Sequence, residues 1–192
     1  GGAASLTYTV ENASDSQLDG EWFDSLYLSS DDRWDLDDVL LARVRNTDPL
    51  AARDSYQQTV DFELPGVLPG EYRVIVRSDI LNTVEETDET NNLRASIDQI
   101  ELDATELTLG QPFSGTIGQG ASRFFKVELE ADQTLVVDLD GDAGLASELL
   151  VSRGTVPTRS GFDVRSDDVF RPSSSVRIDS TEADTYYILV FA

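Results

Sequence analysis

Apolar and polar side chains alternate along most of the chain with the two-residue period of β-strands. In the first half, the alternating runs cover residues 6–10, 23–29, 39–45, 60–64, 72–76 and 93–97. Pro65-Gly66 and Pro69-Gly70 are turn signals between two of these runs. Helical periodicity is almost absent. About seven short strands in about 100 residues predict an antiparallel β-sandwich.

The alternating pattern restarts after Leu102. It covers residues 107–109, 113–117, 124–129, 135–139, 149–151, 176–178 and 186–191. The run 186–191 is apolar on both faces, which is typical of a strand covered on both sides. We therefore place a boundary near Glu101 and predict two β-sandwiches in tandem, over residues 1–100 and 101–192.

The charge balance changes this picture, because 37 acidic residues stand against 14 basic ones and give a net charge of −23. Such a surface repels nucleic acid and anionic membranes. There is no run of about 18 apolar residues that would insert into a membrane. The chain has no Cys, so an extracellular domain must be held by its core or by metals. It also has no Met, and we expect it to be a piece of a longer protein.

Two acidic stretches stand out. Residues 31–38 lie between two predicted strands and carry five aspartates, with Arg33 as the nearby cation. Residues 84–92 have the sequence VEETDETNN. Two carboxylates about 6 Å apart repel by roughly 3 kcal/mol at an effective dielectric of about 20. Hard oxygen ligands in a flexible loop suit calcium, and the alternative is a solvated acidic turn.

Motifs in the first half resemble the CARDB family, the cell adhesion related domains of bacteria and archaea. The matching motifs are WFDSLYLSSDDRWDLDDVLL, then LPG…GEYRVIVRSD, then VEETDETNN, and they cover about residues 4–99. The resemblance implies an immunoglobulin-like sandwich in a large secreted or cell-surface protein. The recurring acidic or amide positions of the family fall on Asp31, Asp35, Asp38, Asp79, Glu86, Glu89, Asn91 and Asn92.

The second half is similar to the bacterial pre-peptidase C-terminal (PPC) domain. The matching stretches are LGQPFSGTIGQGASRFFKVELEADQTLVVDLDGDAG, ELLVSRGTVPTRSGFD and DTYYILVFA, over about residues 105–192. The resemblance implies a jelly-roll-like sandwich attached to secreted peptidases or other exoproteins. Some relatives bind calcium, and some bind collagen or insoluble polysaccharide. The family commonly continues for one further strand, so we expect the last sheet to be incomplete at the C-terminus.

These resemblances direct the calcium hypothesis to one site formed where the two acidic loops meet at one end of the first sandwich. Its expected ligands are Asp31, Asp35, Asp38, Glu86, Glu89 and Asn91. The alternative is that such side chains cap turns and bind backbone N–H groups. A weaker hypothesis uses Asp98, Glu101 and Asp103.

The run 138–142, DLDGD, imitates the opening of an EF-hand loop. Its sixth position is Ala143 where Gly is required, and its twelfth is Leu149 where Glu is required. We interpret this run as a strand end followed by a turn.

Catalysis is not expected. The absence of His removes the usual general base, and the absence of Cys removes thiol nucleophiles. Lys126 is the single lysine and lies in the middle of a predicted strand. Carboxylate pairs for glycoside hydrolysis would lie in loops rich in further acids, where water and cations keep them ionised.

The sequence thus predicts a non-catalytic, calcium-binding structural and adhesion module of a large secreted or cell-surface prokaryotic protein. The alternative is an accessory module that holds a secreted peptidase or other exoenzyme on collagen or polysaccharide. An exposed aromatic strip would favour this alternative, and its candidate residues are Trp22, Trp34, Phe162 and Tyr187. We expect a monomer whose partners are other domains of the same protein, with extracellular protein or polysaccharide as further candidates.

Overall fold

The computed structural model describes residues 2–86, 88–142, 146–167 and 171–192, and within these ranges every regular element is a β-strand. The expected all-β class is therefore confirmed. The chain divides into two compact units. The first comprises Gly2–Pro65 and Gly70–Leu102, and the second comprises Gly66–Pro69 and Asp103–Ala192.

Two sheets form the first unit. Its strands are β1 (Ala3–Glu11), β2 (Trp22–Ser29), β3 (Val39–Asn46), β4 (Ser55–Glu63), β5 (Gly70–Arg77), β6 (Leu93–Ala95) and β7 (Ile100–Leu102). One sheet is the antiparallel pair β1-β4, and the other has the order β3-β2-β5-β6, with β7 paired to β5. Tyr8 and Phe62 of the first sheet pack with Leu26 and Val74 of the second. This contact forms the main core of the unit.

Strand β2 is the central strand of the larger sheet and runs antiparallel to both of its neighbours. Ser25 pairs with Arg43 of β3 and with Arg77 of β5. At the end of β2, Ser29 pairs with Arg73. Because β2 and β5 are antiparallel, the segments that follow them leave the sheet at opposite ends. This register decides where the acidic loops lie.

Two further sheets form the second unit. Its strands are β8 (Thr105–Glu106), β9 (Ser122–Leu129), β10 (Leu135–Leu139), β11 (Glu148–Arg153), β12 (Val164–Arg165), β13 (Ser174–Ile178) and β14 (Asp184–Phe191). One sheet has the order β12-β11-β14-β9-β8, and the other is the pair β10-β13. Residues 186–190 of β14 are all buried, as the apolar run predicts. The inward positions of β9 are also buried, at Phe125, Val127 and Leu129.

Two predicted strands, 107–109 and 113–117, are wrong, because the structure has irregular chain there. Leu107 and Ile117 pack partly buried against the core of the second unit. The ring of Phe113 lies edge-on to Phe125, with 5.2 Å between their centroids. The apolar alternation in this segment therefore reflects packing onto the core rather than pairing in a ladder.

A close approach of two backbone segments follows β10. A Cβ atom at Gly141 would lie 2.4 Å from the carbonyl oxygen of Pro172. We therefore expect Gly141→Ala to destabilise the protein by about 1–3 kcal/mol. Such a loss lowers the Tm of a domain of this size by several degrees. Gly118→Ala is the matched control, because a Cβ there meets nothing within 4 Å. Equal melting temperatures for the two variants would contradict the predicted clash.

Candidate functional site

The loop between β2 and β3 is closed by its own aspartates. Asp31 Oδ1 accepts a hydrogen bond from the backbone N–H of Arg33 at 2.7 Å. Asp38 Oδ2 accepts one from the N–H of Asp35 at 3.0 Å, and Asp35 Oδ1 accepts one from the N–H of Asp37 at 2.8 Å. These are the side-chain turn caps of the alternative interpretation. The second oxygen of Asp31, Asp35 and Asp38 has no partner among the described residues.

The loop before β6 shows the same kind of closure. Asn92 Nδ2 donates to Glu86 Oε2 at 2.5 Å and to Glu89 Oε2 at 3.4 Å. The N–H of Glu86 donates to Glu89 Oε1 at 3.0 Å. Asn91 is exposed. The side-chain amide of Asn92 thus bridges the two glutamates.

Asp79 anchors the beginning of this segment. Its buried carboxylate accepts hydrogen bonds from the N–H of Thr83 at 2.9 Å and from the N–H of Val84 at 2.7 Å. Its backbone φ is 42°, a left-handed conformation that Asp tolerates better than most residues. The family match at Asp79 therefore corresponds to a structural turn cap.

The structure does not bring the two acidic loops into one ligand cluster. Residues 30–38 leave the sheet at the Ser29 end, whereas the segment that begins at residue 78 leaves it beside Phe23, whose carbonyl accepts from the N–H of Ile80 at 3.2 Å. No group of three or more Asp or Glu side chains in the described ranges could hold a metal ion. The antiparallel register of β2 and β5 explains this separation. Calcium binding by the six candidate residues stays a prediction.

The other acidic candidates have local partners. Asp103 Oδ1 accepts from Lys126 Nζ at 2.8 Å, and this bond lowers the pKa of Asp103 and raises the pKa of Lys126. Asp138 and Asp140, in the EF-hand-like run, accept from serine hydroxyls at 2.7 and 2.9 Å. Strand β10 ends at Leu139, as the strand-end interpretation predicts, and Ala143 lies outside the described residues.

The four aromatic candidates do not form an exposed strip. Trp22 and Tyr187 are buried, and Trp34 and Phe162 are half-buried. The guanidinium carbon of Arg77 lies 3.8 Å from the ring centroid of Trp34, and Tyr27 contacts the same ring edge-on. Trp34 therefore packs back from the acidic loop onto the outer face of the sheet.

The sequence did not single out one carboxylate of the first unit, that of Asp24. Asp24 is completely buried, and its Oδ2 accepts from Tyr8 Oη at 2.9 Å, Tyr56 Oη at 2.5 Å and Asn46 Nδ2 at 3.0 Å. Its Oδ1 is buried without a partner in the described part of the chain. Burial, together with Asp24, raises the pKa of Tyr8 and of Tyr56. The available signal was an aspartate at an inward position of β2, between Trp22 and Leu26.

This cluster predicts sensitivity to alkali. The unfolded chain ionises its tyrosines near pH 10.0, while the folded unit keeps Tyr8 and Tyr56 protonated above that pH. The folded state then binds more protons, so stability is full below pH 10 and falls above it by about 1.4 kcal/mol per pH unit for each tyrosine. Thermal unfolding between pH 9 and 11 should show Tyr8→Phe losing stability less steeply than the wild type. Parallel pH curves would contradict the shift at Tyr8.

Both halves of the chain match the models of known protein families. The CARDB family model matches residues 1–96, and the model of the bacterial pre-peptidase C-terminal domain matches residues 121–192. No curated protein matches the chain. A solved structure, the secreted serine protease VesC from Vibrio cholerae, is similar with 11% sequence identity and a TM-score of 0.25. The similarity covers 99% of this chain and 43% of that chain, so the chain spans less than half of its length.

Two findings bear on the wider context of the chain. None of the described residues forms a helix that is long and apolar enough to cross a membrane. Domains of both matched families are typical of extracellular bacterial proteins. Since one family model covers half of the sequence, this chain belongs to the CARDB family and continues into a region that matches the bacterial pre-peptidase C-terminal domain.

Proposed function

We propose that this chain is a non-catalytic structural and adhesion module of a large secreted or cell-surface prokaryotic protein, and that its acidic loops bind calcium. CARDB and PPC domains fit an adhesion or accessory module. The paired sheets of each unit support the finer proposal of an immunoglobulin-like sandwich followed by a jelly-roll-like one.

The observation that carries the calcium proposal is uncompensated negative charge. None of Asp31, Asp35, Asp38, Glu86 and Glu89 forms a salt bridge in the described part of the chain. Arginine partners are instead used by acids elsewhere, as in Arg53–Asp15 at 2.8 Å and Arg159–Glu148 at 2.7 Å. Each loop thus combines several carboxylates with oxygens that have no protein donor, which favours binding of an external cation.

The strand register supports two separate ions rather than one shared ion. Because the described carboxylates are not already gathered around a common point, a first ion would have to draw Asp31, Asp35 and Asp38 together, and a second would have to draw Glu86, Glu89 and Asn91 together. Calcium accepts six to eight oxygens at about 2.3–2.6 Å in flexible geometry, and waters can complete either set. Magnesium fits less well, because it requires near-octahedral geometry and retains its own waters.

Two observations support a role without catalysis. The chain has no His or Cys, and the single lysine, Lys126, is bound to Asp103. The raised pKa of Lys126 keeps this amine protonated and therefore unsuited to act as a base. Acids that remain in polar, exposed loops are also poor general acids near neutral pH.

The alternative function is an accessory module that binds collagen or polysaccharide for a secreted exoenzyme. Its expected aromatic strip has little support, because Trp22 and Tyr187 are buried and arginines lie over Trp34 and Phe162. The structural and adhesion role is therefore the better proposal. Its partners would be neighbouring domains of the same protein and extracellular protein or polysaccharide, and the module itself would be a monomer.

Calcium should stabilise the protein against heat. At a hundredfold excess over Kd, binding to the folded state alone contributes about 2.7 kcal/mol per site. That raises the Tm of a domain of about 100 residues by several degrees. Asp35→Asn should remove the contribution of the first loop, and Glu89→Gln should remove that of the second. Asp48→Asn is the matched control, because Asp48 is exposed and lies outside both loops.

Thermal scans with and without calcium, together with titration calorimetry, measure these effects. If calcium changes neither the Tm nor the heat of titration, the acidic loops are solvated turns and the calcium proposal is wrong. If Asp48→Asn reduces the calcium response as much as Asp35→Asn does, the effect is a general response to charge. If either loop variant alone removes the whole response, one loop binds and the two-ion arrangement is wrong.

A further inference from the structure

The outer face of the sheet β3-β2-β5-β6 carries a row of arginines. Ser25 of β2 lies directly between Arg43 of β3 and Arg77 of β5. Residues directly opposite in antiparallel strands point to the same face, so both arginines flank the same serine. Their Cα atoms are two strand spacings apart, about 10 Å.

Arginines are the charged residues in the paired rows of this face, and Glu21 borders these rows through its salt bridge with Arg45. Arg45, paired with Phe23, and Arg73, paired with Ser29, extend the same face. It thus holds four of the seven arginines among residues 1–99. Where β2 is paired with β3 or β5, none of the paired positions on this face is an Asp or a Glu. The paired positions of this face are Arg45, Phe23, Arg43, Ser25, Arg77, Leu40, Tyr27, Ile75, Ser29 and Arg73.

Arg77 has donors without acceptors. Its guanidinium is stacked at 3.8 Å on Trp34, and none of its N–H groups has an acceptor in the ranges that the structure describes. Stacking on an aromatic face leaves the edge of a guanidinium free to donate to an oxyanion. The Nε1 of Trp34 is also buried without a partner among the described residues. The stacked side chains of Arg77 and Trp34 thus both carry N–H donors that have no acceptor among the described residues.

Arg43 is held in place while most of its donors stay free. Its Nε donates to Ser25 Oγ at 3.2 Å, and Ser25 is completely buried. The two terminal nitrogens of Arg43 have no partner within the described chain, and its side chain is exposed. Neither Arg43 nor Arg77 forms a salt bridge with a described residue, although the protein has 37 acidic residues. Two positioned guanidinium groups suit bidentate binding of a carboxylate.

Apolar groups border the arginine row. Leu93 pairs with Arg77 and is 39% exposed, and Leu40 in the next row is 47% exposed. A ligand that covers the arginines would also contact these two side chains. A peptide that mixes acidic and apolar residues matches both features, whereas a uronic acid polymer offers no aliphatic side chains to the leucines.

We propose that Arg43 and Arg77, with Ser25 between them and Trp34 stacked behind Arg77, bind a carboxylate side chain from an acidic, partly apolar peptide segment of a partner protein. This site goes beyond the proposed function and uses none of the candidate calcium ligands. The surrounding unit is strongly acidic, so a long polyanion would place its remaining charges over carboxylates. A short segment with few carboxylates avoids that repulsion.

The test uses the full chain in buffer freed of calcium by a chelating resin, because soluble chelators are themselves polycarboxylates. The probe is a fluorescein-labelled peptide of alternating Leu and Glu, and its control is the matching Leu and Gln peptide. We expect anisotropy to show binding of the Glu peptide that weakens with salt. The double variant Arg43→Ala/Arg77→Ala should weaken it by about tenfold or more.

Arg53→Ala/Arg94→Ala is the matched control, since it removes the same charge away from this row and should leave binding nearly unchanged. The double variant Arg43→Gln/Arg77→Gln retains long polar side chains. It replaces the double alanine variant in this test if that variant unfolds. Arg77→Lys keeps the charge but loses the planar fork, so it should bind with intermediate affinity. In a Trp22→Phe background, the remaining fluorescence of Trp34 should respond to the Glu peptide.

Equal binding by the arginine-row variants and the control variant would overturn the site, as would failure of the Glu peptide to bind the wild type. Tighter binding of oligogalacturonate or citrate through the same arginines would overturn the peptide as the ligand. Self-association of the chain that is lost in Arg43→Gln/Arg77→Gln would identify a second copy as the occupant and overturn the partner protein. Because calcium is absent throughout and no candidate calcium ligand is substituted, none of these results depends on calcium binding by the acidic loops.

Discussion

Burial of strand β2 on both faces is the constraint on which the first unit depends. Its inward side chains pack against the β1-β4 sheet, and Leu26 is completely buried there. Its outward side chains would reach solvent in a simple sandwich, yet Ser25 is 0% exposed and Ser29 is 2% exposed. Arginine stems and the ring of Trp34 cover this outer face, because long cationic side chains can lie along apolar surface and keep their charged ends wet.

Burial of β2 on both faces also determines where the charged side chains of the unit lie. The acidic candidate ligands occupy loops, where backbone N–H groups and water solvate them. Arginines occupy outward strand positions, where their long side chains cover the outer face of β2. Asp24 is the exception, and two tyrosine hydroxyls and an amide satisfy one of its oxygens. A buried carboxylate without hydrogen bonds would cost several kcal/mol, so these donors are part of what makes an aspartate tolerable in the core.

The sequence predicted the elements better than it predicted their contacts. Alternation identified β2, β3, β9 and β14 within a few residues, because burial on one or both faces has a direct signature along the chain. The same signal placed strands wrongly at 107–109 and 113–117, where apolar side chains reach the core from irregular backbone. Periodicity records which side chains are buried, and it contains no information about whether a neighbouring strand is present.

In the candidate site, too, local features were predictable from the sequence and contacts between distant residues were not. The acidic stretches and their family match were visible in the sequence, and the described residues of both stretches lie in loops. Their expected meeting depended on the pairing of β2 with β5, which no local pattern encodes. The arginine row was equally hidden, because Arg43 and Arg77 are 34 positions apart and become neighbours through Ser25 only in the folded sheet. Asp24 could have been suspected, since a charged residue at an inward strand position needs specific partners.

The net charge of −23 does not by itself exclude anion binding at the arginine row. The first acidic loop leaves β2 after Ser29, four positions along the strand from Ser25, and its Trp34 returns to stack on Arg77. Exposed charges on the surface act on each other through water and are largely screened beyond the Debye length of about 8 Å at physiological ionic strength. A carboxylate bound between the two guanidinium groups is within contact distance of both. Local arrangement, rather than total charge, therefore decides which ions each part of this sheet attracts.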